Sequence, residues 1–371
     1  MPTPTSVNIS AWQRQSTTPA LDGAYTTTTR PASNGINSIT GTISNNTDVT
    51  IHGKGFGVNG PHIEVFDRMS GTVGNPLTLT SPSRGTYDYI TTNPPVYEAG
   101  GRDGGNCLRA ITGTGVMHPF NKNFVRNVTE MFFSFAHKWP TGSYFPSPNA
   151  ATPNTFPSPS DSCLKQNWVM YTDRGGAGIN DLCLMSHYSG GGTFGILGND
   201  YSTYFQNIGS TPAAWWQWNK WMKTDFWLKA DSTNPSTVNG TTFVGITNEI
   251  AHLEYSKTTS PLFDSDRIGQ EPYAWDRIHF NEWCRGSAPG TVQCQYSDIY
   301  LATGPNSAAR VEVGNNAVYA SCTELVICPT KLWADGRIMA TIQQGGLNLI
   351  NPTWLFITLP DNSTRYSIQV I

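Results

Sequence analysis

Apolar and polar residues alternate with period two through most of this chain, which predicts short β-strands rather than helices. The clearest case is 221–231. Met222, Thr224, Phe226, Leu228 and Ala230 form one set, and Trp221, Lys223, Asp225, Trp227, Lys229 and Asp231 form the other. The first set is expected to pack inward and the second to line an open face. Similar runs at 63–69, 106–113, 130–139, 165–173, 181–188, 241–250, 275–283 and 295–303 predict further strands. Gly-, Pro- and Ser-rich loops separate them, notably 145–162. Many short strands of this kind mean a sandwich or jelly roll.

Both flanks carry strand signals of their own. Ile36 and Ile39 lead one strand, and Val49 and Ile51 alternate in the next. The glycines of GKGFG (53–57) then permit a sharp bend beside a buried Phe56. Near the other end, ARVEVGN (309–315), LWADGRIMATI (332–342) and TWLFITLPDNSTRYSIQV (353–370) read as strands, the last as a hairpin turning at PDN. Residues 1–32 are rich in Thr, Pro and Ser and read as an extended arm without its own core. The arm is either a disordered tail or an assembly arm that orders on a partner, with Trp12 as an apolar anchor.

Composition narrows the function. The 371 residues suffice for two domains. Only 13% are charged and the net charge is -3, which excludes the basic stripe of a nucleic-acid binder. The N-terminal MPTPTSVNISAWQRQ lacks the basic and apolar regions of a secretory signal. No apolar run reaches the ~18 residues of a membrane span. The seven cysteines match no zinc spacing. Cys284 with Cys294, and Cys322 with Cys328, are candidate disulfides, with buried free thiols as the alternative.

The segment VTIHGKGFG (49–57) resembles the IPT/TIG family of immunoglobulin-like domains. In that family the next strand follows within a few residues, whereas here the fitting strands come at 309–315 and 332–342. The resemblance implies a discontinuous immunoglobulin-like β-sandwich, 33–63 and 304–371, with 64–303 inserted in it. A complete second immunoglobulin-like domain at 305–371 is the alternative. The insert looks like a concanavalin-like or laminin-G-like jelly roll, on the stretch 221–248 and on SDIYLA (297–302). In that family the first and last strands are neighbours, which makes insertion into a host loop feasible. The expected fold is all-β: a jelly-roll β-sandwich inserted into a discontinuous immunoglobulin-like one, behind an N-terminal arm.

The jelly-roll resemblance also implies where chemistry lies, because one face of that fold contacts glycans. Lys223, Asp225, Trp227 and Lys229 are the groove candidates, with His137 and Trp139 beside them. Aromatic rings stack on sugar faces, and Lys and Asp hydrogen-bond hydroxyls. A cross-strand charge ladder is the plainer reading of Lys223 to Lys229, and a hydrogen-bonded structural histidine that of His137. The run AAWWQWNKW (213–221) is either a stacking platform or a cap on the core. His187 and Tyr188, beside SGGGTFG, are further groove candidates. A polysaccharide lyase would need Tyr or His to take the proton alpha to a uronate carboxylate, and Arg, Asn or Gln to neutralise that carboxylate. Tyr171, His137, Arg174 and His187 supply those residue types. Glu282 and Asp276 lie ~20 Å apart along one strand by the rise per residue, too far for a glycosidase pair. DRGGAGIND (173–181) could hold Ca²⁺ but lacks EF-hand spacing, so no metal or other cofactor is expected.

Together these features predict an adhesive or structural component of a virus particle, such as a phage decoration or tail-associated protein, that displays a lectin-like domain for host glycans. Its partners would be other virion proteins, met through the arm, and it would be a homo-oligomer or assembled on the particle. The alternative is a secreted or cell-surface polysaccharide-binding protein or polysaccharide lyase.

Overall fold

In the computed structural model, residues 6–7, 34–112, 119–141, 163–172, 178–188, 194–198, 204–209, 216–230, 240–260, 262, 274–285 and 292–371 are described, some strand residues by backbone alone. The chain divides into two units. Unit 1 comprises 1–63, 250–252 and 302–371, and unit 2 comprises 64–249 and 253–301. Strands are numbered along the chain. The first three are β1 (Ser6–Val7), β2 (Gly35–Thr40) and β3 (Asp48–Lys54). There follow β4 (His62–Asp67), β5 (Arg84–Gly85), β6 (Tyr89–Ile90), β7 (Val96–Ala99), β8 (Asn106–Thr112), β9 (Phe120–Val128) and β10 (Glu130–Lys138). Next are β11 (Cys163–Thr172), β12 (Gly178–Tyr188), β13 (Phe194–Gly198), β14 (Tyr204–Gly209), β15 (Met222–Lys229) and β16 (Gly240–Thr247). Then come β17 (His252–Ser260), β18 (Trp275–Arg285), β19 (Val292–Thr303), β20 (Arg310–Gly314) and β21 (Leu325–Cys328). The last are β22 (Thr330–Ala334), β23 (Arg337–Thr341), β24 (Trp354–Thr358) and β25 (Arg365–Gln369).

Unit 2 is a two-layer antiparallel β-sandwich of jelly-roll type. One sheet runs β17-β16-β15-β10-β19-β4-β5, and β8 joins it along the first half of β19 and carries β7. The opposing sheet runs β14-β13-β12-β11-β18-β9-β6. A single apolar core draws on both: Val65, Phe133, Phe135, Phe226, Val244 and Leu301 from the first, Phe120, Val169, Leu182, Trp275, Ile278 and Phe280 from the second. Alternation sends every second residue of each strand into this layer. Phe120 stacks on Phe280 at 4.9 Å and meets the edge of Tyr87 at 5.1 Å. Such aromatic contacts add about 0.5–1.5 kcal/mol each beyond area burial. The ends of the unit are neighbours, since β4 and β19 hydrogen-bond side by side.

Unit 1 is a smaller sandwich. One sheet runs β1-β2-β3-β23-β22 and the other β21-β20-β24-β25. Ile36, Ile39, Val49, Ile51 and Ile338 of the first face Val311, Val313, Leu355, Ile357 and Ile368 of the second. Val49 and Ile51 are buried and alternate with exposed or half-buried neighbours. Phe56 is buried, and its carbonyl accepts the Trp333 indole N–H at 2.8 Å. Gly53 has to be small, because a Cβ there would lie 2.3 Å from the Phe56 ring. The segment 332–342 is not one strand but the β22–β23 hairpin, turning at Asp335–Gly336. At the second hairpin Asp361 accepts the N–H groups of Ser363 and Thr364, with Asn362 left-handed at φ 58°. The outer side of β20 buries an ion pair. Arg310 reaches Glu312 at 2.8 Å and Asn362 at 2.7 Å, and the Tyr319 hydroxyl donates to Glu312 at 2.7 Å.

Two expectations are corrected here. Cys294, Cys322 and Cys328 are buried free thiols, so neither disulfide pairing read from the spacing exists. Cys284 and Cys294 also lie on β18 and β19, which belong to opposite sheets. Of the arm, Ser6–Val7 pairs with β2, and the rest lies outside the described residues.

Candidate functional site

The strand that best displays the expected alternation, β15, carries Met222, Phe226 and Leu228 into the core as anticipated. Its other side is not the open face expected for it. Lys223, Asp225 and Trp227 are 2%, 1% and 8% exposed. Lys223 donates to Asp225 at 2.5 Å, and the Trp227 indole donates to Glu130 at 3.1 Å. Lys229 is exposed, near Glu130 at 3.7 Å, and Trp221 is half-buried. Period two separates the two sides of a strand but cannot say which side is covered.

His137 and Trp139 are corrected too, since both lie in the interior, fully buried. The antiparallel register of β10 and β15 sets His137 beside the core-facing Met222 and Thr224. The Trp139 indole N–H donates to His137 Nδ1 at 3.0 Å. Indole is only a donor, so Nδ1 is the bare nitrogen and Nε2–H donates to Thr224 Oγ1 at 2.9 Å. Burial, with the charge of Arg102 adding to it, pushes the imidazole pKa from 6.5 down to about 3. His137 is therefore a neutral structural residue. The Trp run behaves likewise: Trp216 is buried in the core cluster, 5.4 Å from Trp139, with Trp218 packed against it. Arg174, Trp215 and the loop 189–193 lie outside the described residues, and Tyr171, His187, Tyr188 and Glu282 are described by backbone alone.

The opposing sheet assembles a different group. Register pairs Tyr89 of β6 with Asn121 of β9, and Asn121 with His279 of β18. Directly paired residues share a face. The alternate positions Ile90, Phe120, Ile278 and Phe280 belong to the core, so Tyr89, Asn121 and His279 line the outer face in one row. The next row pairs Arg277 with Asn123. Tyr89 is 47% exposed and Asn123 is exposed, Arg277 is half-buried, and His279 and Asn121 are each 6% exposed. The row is held in place from several sides. Asp88 accepts the Asn123 N–H at 2.8 Å and pairs with Lys122 at 3.0 Å, tying β6 to β9. On the core side, the Asn167 amide donates to the His279 carbonyl at 3.4 Å. Arg277 lies 3.3 Å from Asp276. A phenol, an amide, an imidazole and a guanidinium thus share one face, which can hold an anionic sugar and move a proton.

Sequence reading did not select these four residues. Segment 275–283 was expected as a strand, but β6 and β9 were not, and the row exists only through their pairing with β18. Among the described residues there is no cluster of His, Cys, Asp and Glu able to hold a metal ion, and no helix is long and apolar enough to cross a membrane.

No family model and no curated protein matches the chain. Among solved structures it is similar to an endo-β-1,4-glucuronan lyase from the fungus Trichoderma reesei, at 12% identity and a TM-score of 0.35, over 63% of this chain and 96% of that one. It is also similar to the alginate lyase vAL-1 from a Chlorella virus, at 10% identity and a TM-score of 0.34, over 63% of this chain and all of that one. A third similar structure is the enzymatically active domain of bacteriophage CBA120 tailspike protein 2, at 12% identity and a TM-score of 0.33, over 68% of this chain and 35% of that one.

Proposed function

We propose that unit 2 binds an acidic polysaccharide on the outer face of the β14-to-β6 sheet and cleaves it by β-elimination. The observation that carries this reading is the register-aligned row Tyr89–Asn121–His279, with Arg277 beside it. Elimination at a uronate needs a base for the proton alpha to the carboxylate, charge neutralisation of that carboxylate, and an acid for the leaving oxygen. His279 is the base, Asn121 and Arg277 hold the carboxylate, and the Tyr89 phenol is the acid. The carbon–oxygen bond to the leaving sugar breaks as the carbon–carbon double bond forms. The proton lost from carbon goes to His279, and the leaving oxygen takes one from Tyr89, so no water is consumed.

The test is incubation with a panel of uronate-containing polysaccharides, following the ultraviolet absorbance of the conjugated product. Cleavage of at least one polymer, with a fall of 10²-fold or more in His279→Ala, supports the reading. Neither binding nor cleavage of any such polymer would sink it. Binding without cleavage would leave a lectin-like display role. We further propose that unit 1 is immunoglobulin-like and that the N-terminal arm attaches the protein to a virus particle. Co-sedimentation of the native protein with particles at fixed stoichiometry tests the second.

A further inference from the structure

We propose that β1 is exchanged between copies, so that Ser6–Val7 of one chain pairs with β2 of a second copy of this chain. In the structure β1 extends the sheet of β2, β3, β23 and β22 as an antiparallel edge strand, with Ser6 opposite Thr40 and Val7 opposite Ile39. Neighbouring antiparallel strands are normally joined by about two to five residues. Here the 27 residues from 8 to 34 intervene. Fully extended they reach about 90 Å, several times the radius of a unit of this size. A connection so long does not dictate whose β2 is used.

The ladder itself does not discriminate either, because β2 offers the same backbone groups in every copy. The ladder described for β1 pairs its two residues with Thr40 and Ile39 of β2. The advantage of pairing within one chain is set by loop closure and falls as the loop lengthens. The connecting sequence contains Pro19, Pro31 and the Thr run 26–29. Without β1, β2 would present an open edge, which is a template for another strand. Where copies are concentrated side by side, the strand of a neighbour competes on equal terms, as in strand exchange generally.

Two full-length chains test this, one carrying Ser6→Cys and the other Thr40→Cys, expressed together and oxidised. Directly opposed residues lie ~5 Å apart, within disulfide reach. Mapping the linked peptides separates a 6–40 bond from any made by the native cysteines. The expected result is a 6–40 bond joining the two different chains, together with a shift of the native protein from multimer to monomer on deletion of residues 1–33. A 6–40 bond found only when both substitutions sit on one chain, in a monomer, overturns the proposal, as does the absence of any 6–40 bond. Neither readout involves a glycan, so the outcome is independent of the activity proposed for unit 2.

Discussion

Acidification should remove the stability that one buried neutral side chain lends unit 2, and the size of that contribution follows from its surroundings. His137 is fully buried, accepts the Trp139 indole N–H and donates to Thr224. Protonating Nδ1 would set two N–H groups against each other and place a charge in the core near Arg102. Its pKa is accordingly depressed from 6.5 to about 3. Between those values the unfolded chain binds a proton that the folded chain refuses. Stability is therefore fully present above pH 6.5 and is lost as pH falls toward 3. The full loss is about 5 kcal/mol, and about 3 kcal/mol of it falls between pH 7 and pH 4. That is a large share of the roughly 5–15 kcal/mol by which a domain is stable. The comparison is wild type against His137→Gln, by urea unfolding at pH 7, 6, 5 and 4. A Gln can still accept from Trp139 and donate to Thr224, and any packing cost is a constant offset in pH. The stability difference between the two proteins should move by about 3 kcal/mol in favour of the variant across that range. Other titrating groups are common to both proteins and cancel. A difference that stays flat with pH would refute the assignment of His137 as a buried neutral imidazole.

Asp67 should act with the opposite sign. Burial raises its pKa from 3.8 to about 6, although it accepts the Met69 N–H at 2.8 Å and the Tyr87 hydroxyl at 3.1 Å. The folded state holds a proton there that the unfolded state releases, so stability falls as pH rises from about 4 to 6, and Asp67→Asn should flatten that segment of the curve by about 3 kcal/mol. In unit 1, Arg310 and Glu312 are both fully buried, so Arg310→Met alone should cost about 3–5 kcal/mol in chemical unfolding. Adding Glu312→Leu should recover much of that loss, and strict additivity of the two would contradict the pairing. On the outer sheet face, Asn121→Ala should raise KM for an acidic polysaccharide as well as lowering kcat, whereas Tyr89→Phe should lower kcat alone. Equal effects of the two on both parameters would argue against the separate roles given to them.

The strand content of this protein is written in its residues. Period-two alternation located β4, β8, β10, β11, β12, β15, β16, β18 and β19 to within a few residues, because burying one side of a strand demands it. The inward set of β15 followed from the same rule, and Phe56 is buried beside the GKGFG bend as expected there. It did not locate β9, where Asn121, Lys122 and Asn123 interrupt the apolar positions, or the two-residue β6. The candidate site was not legible for a related reason. Tyr89, Asn121 and His279 are far apart in the chain and meet through strand register alone, and register depends on pairing partners that no local pattern specifies. The sequence by itself determined that the chain folds as β-sandwich layers and which side of several strands enters a core. Only the tertiary structure decided what covers the other side. It buried Lys223, Asp225 and Trp227, drew His137 and Trp139 inside, and set Tyr89, Asn121 and His279 in one row on the side of their sheet away from the core, Tyr89 exposed and the other two nearly buried. Alternation records that a strand has two sides, but solvent access is a property of whatever packs against each.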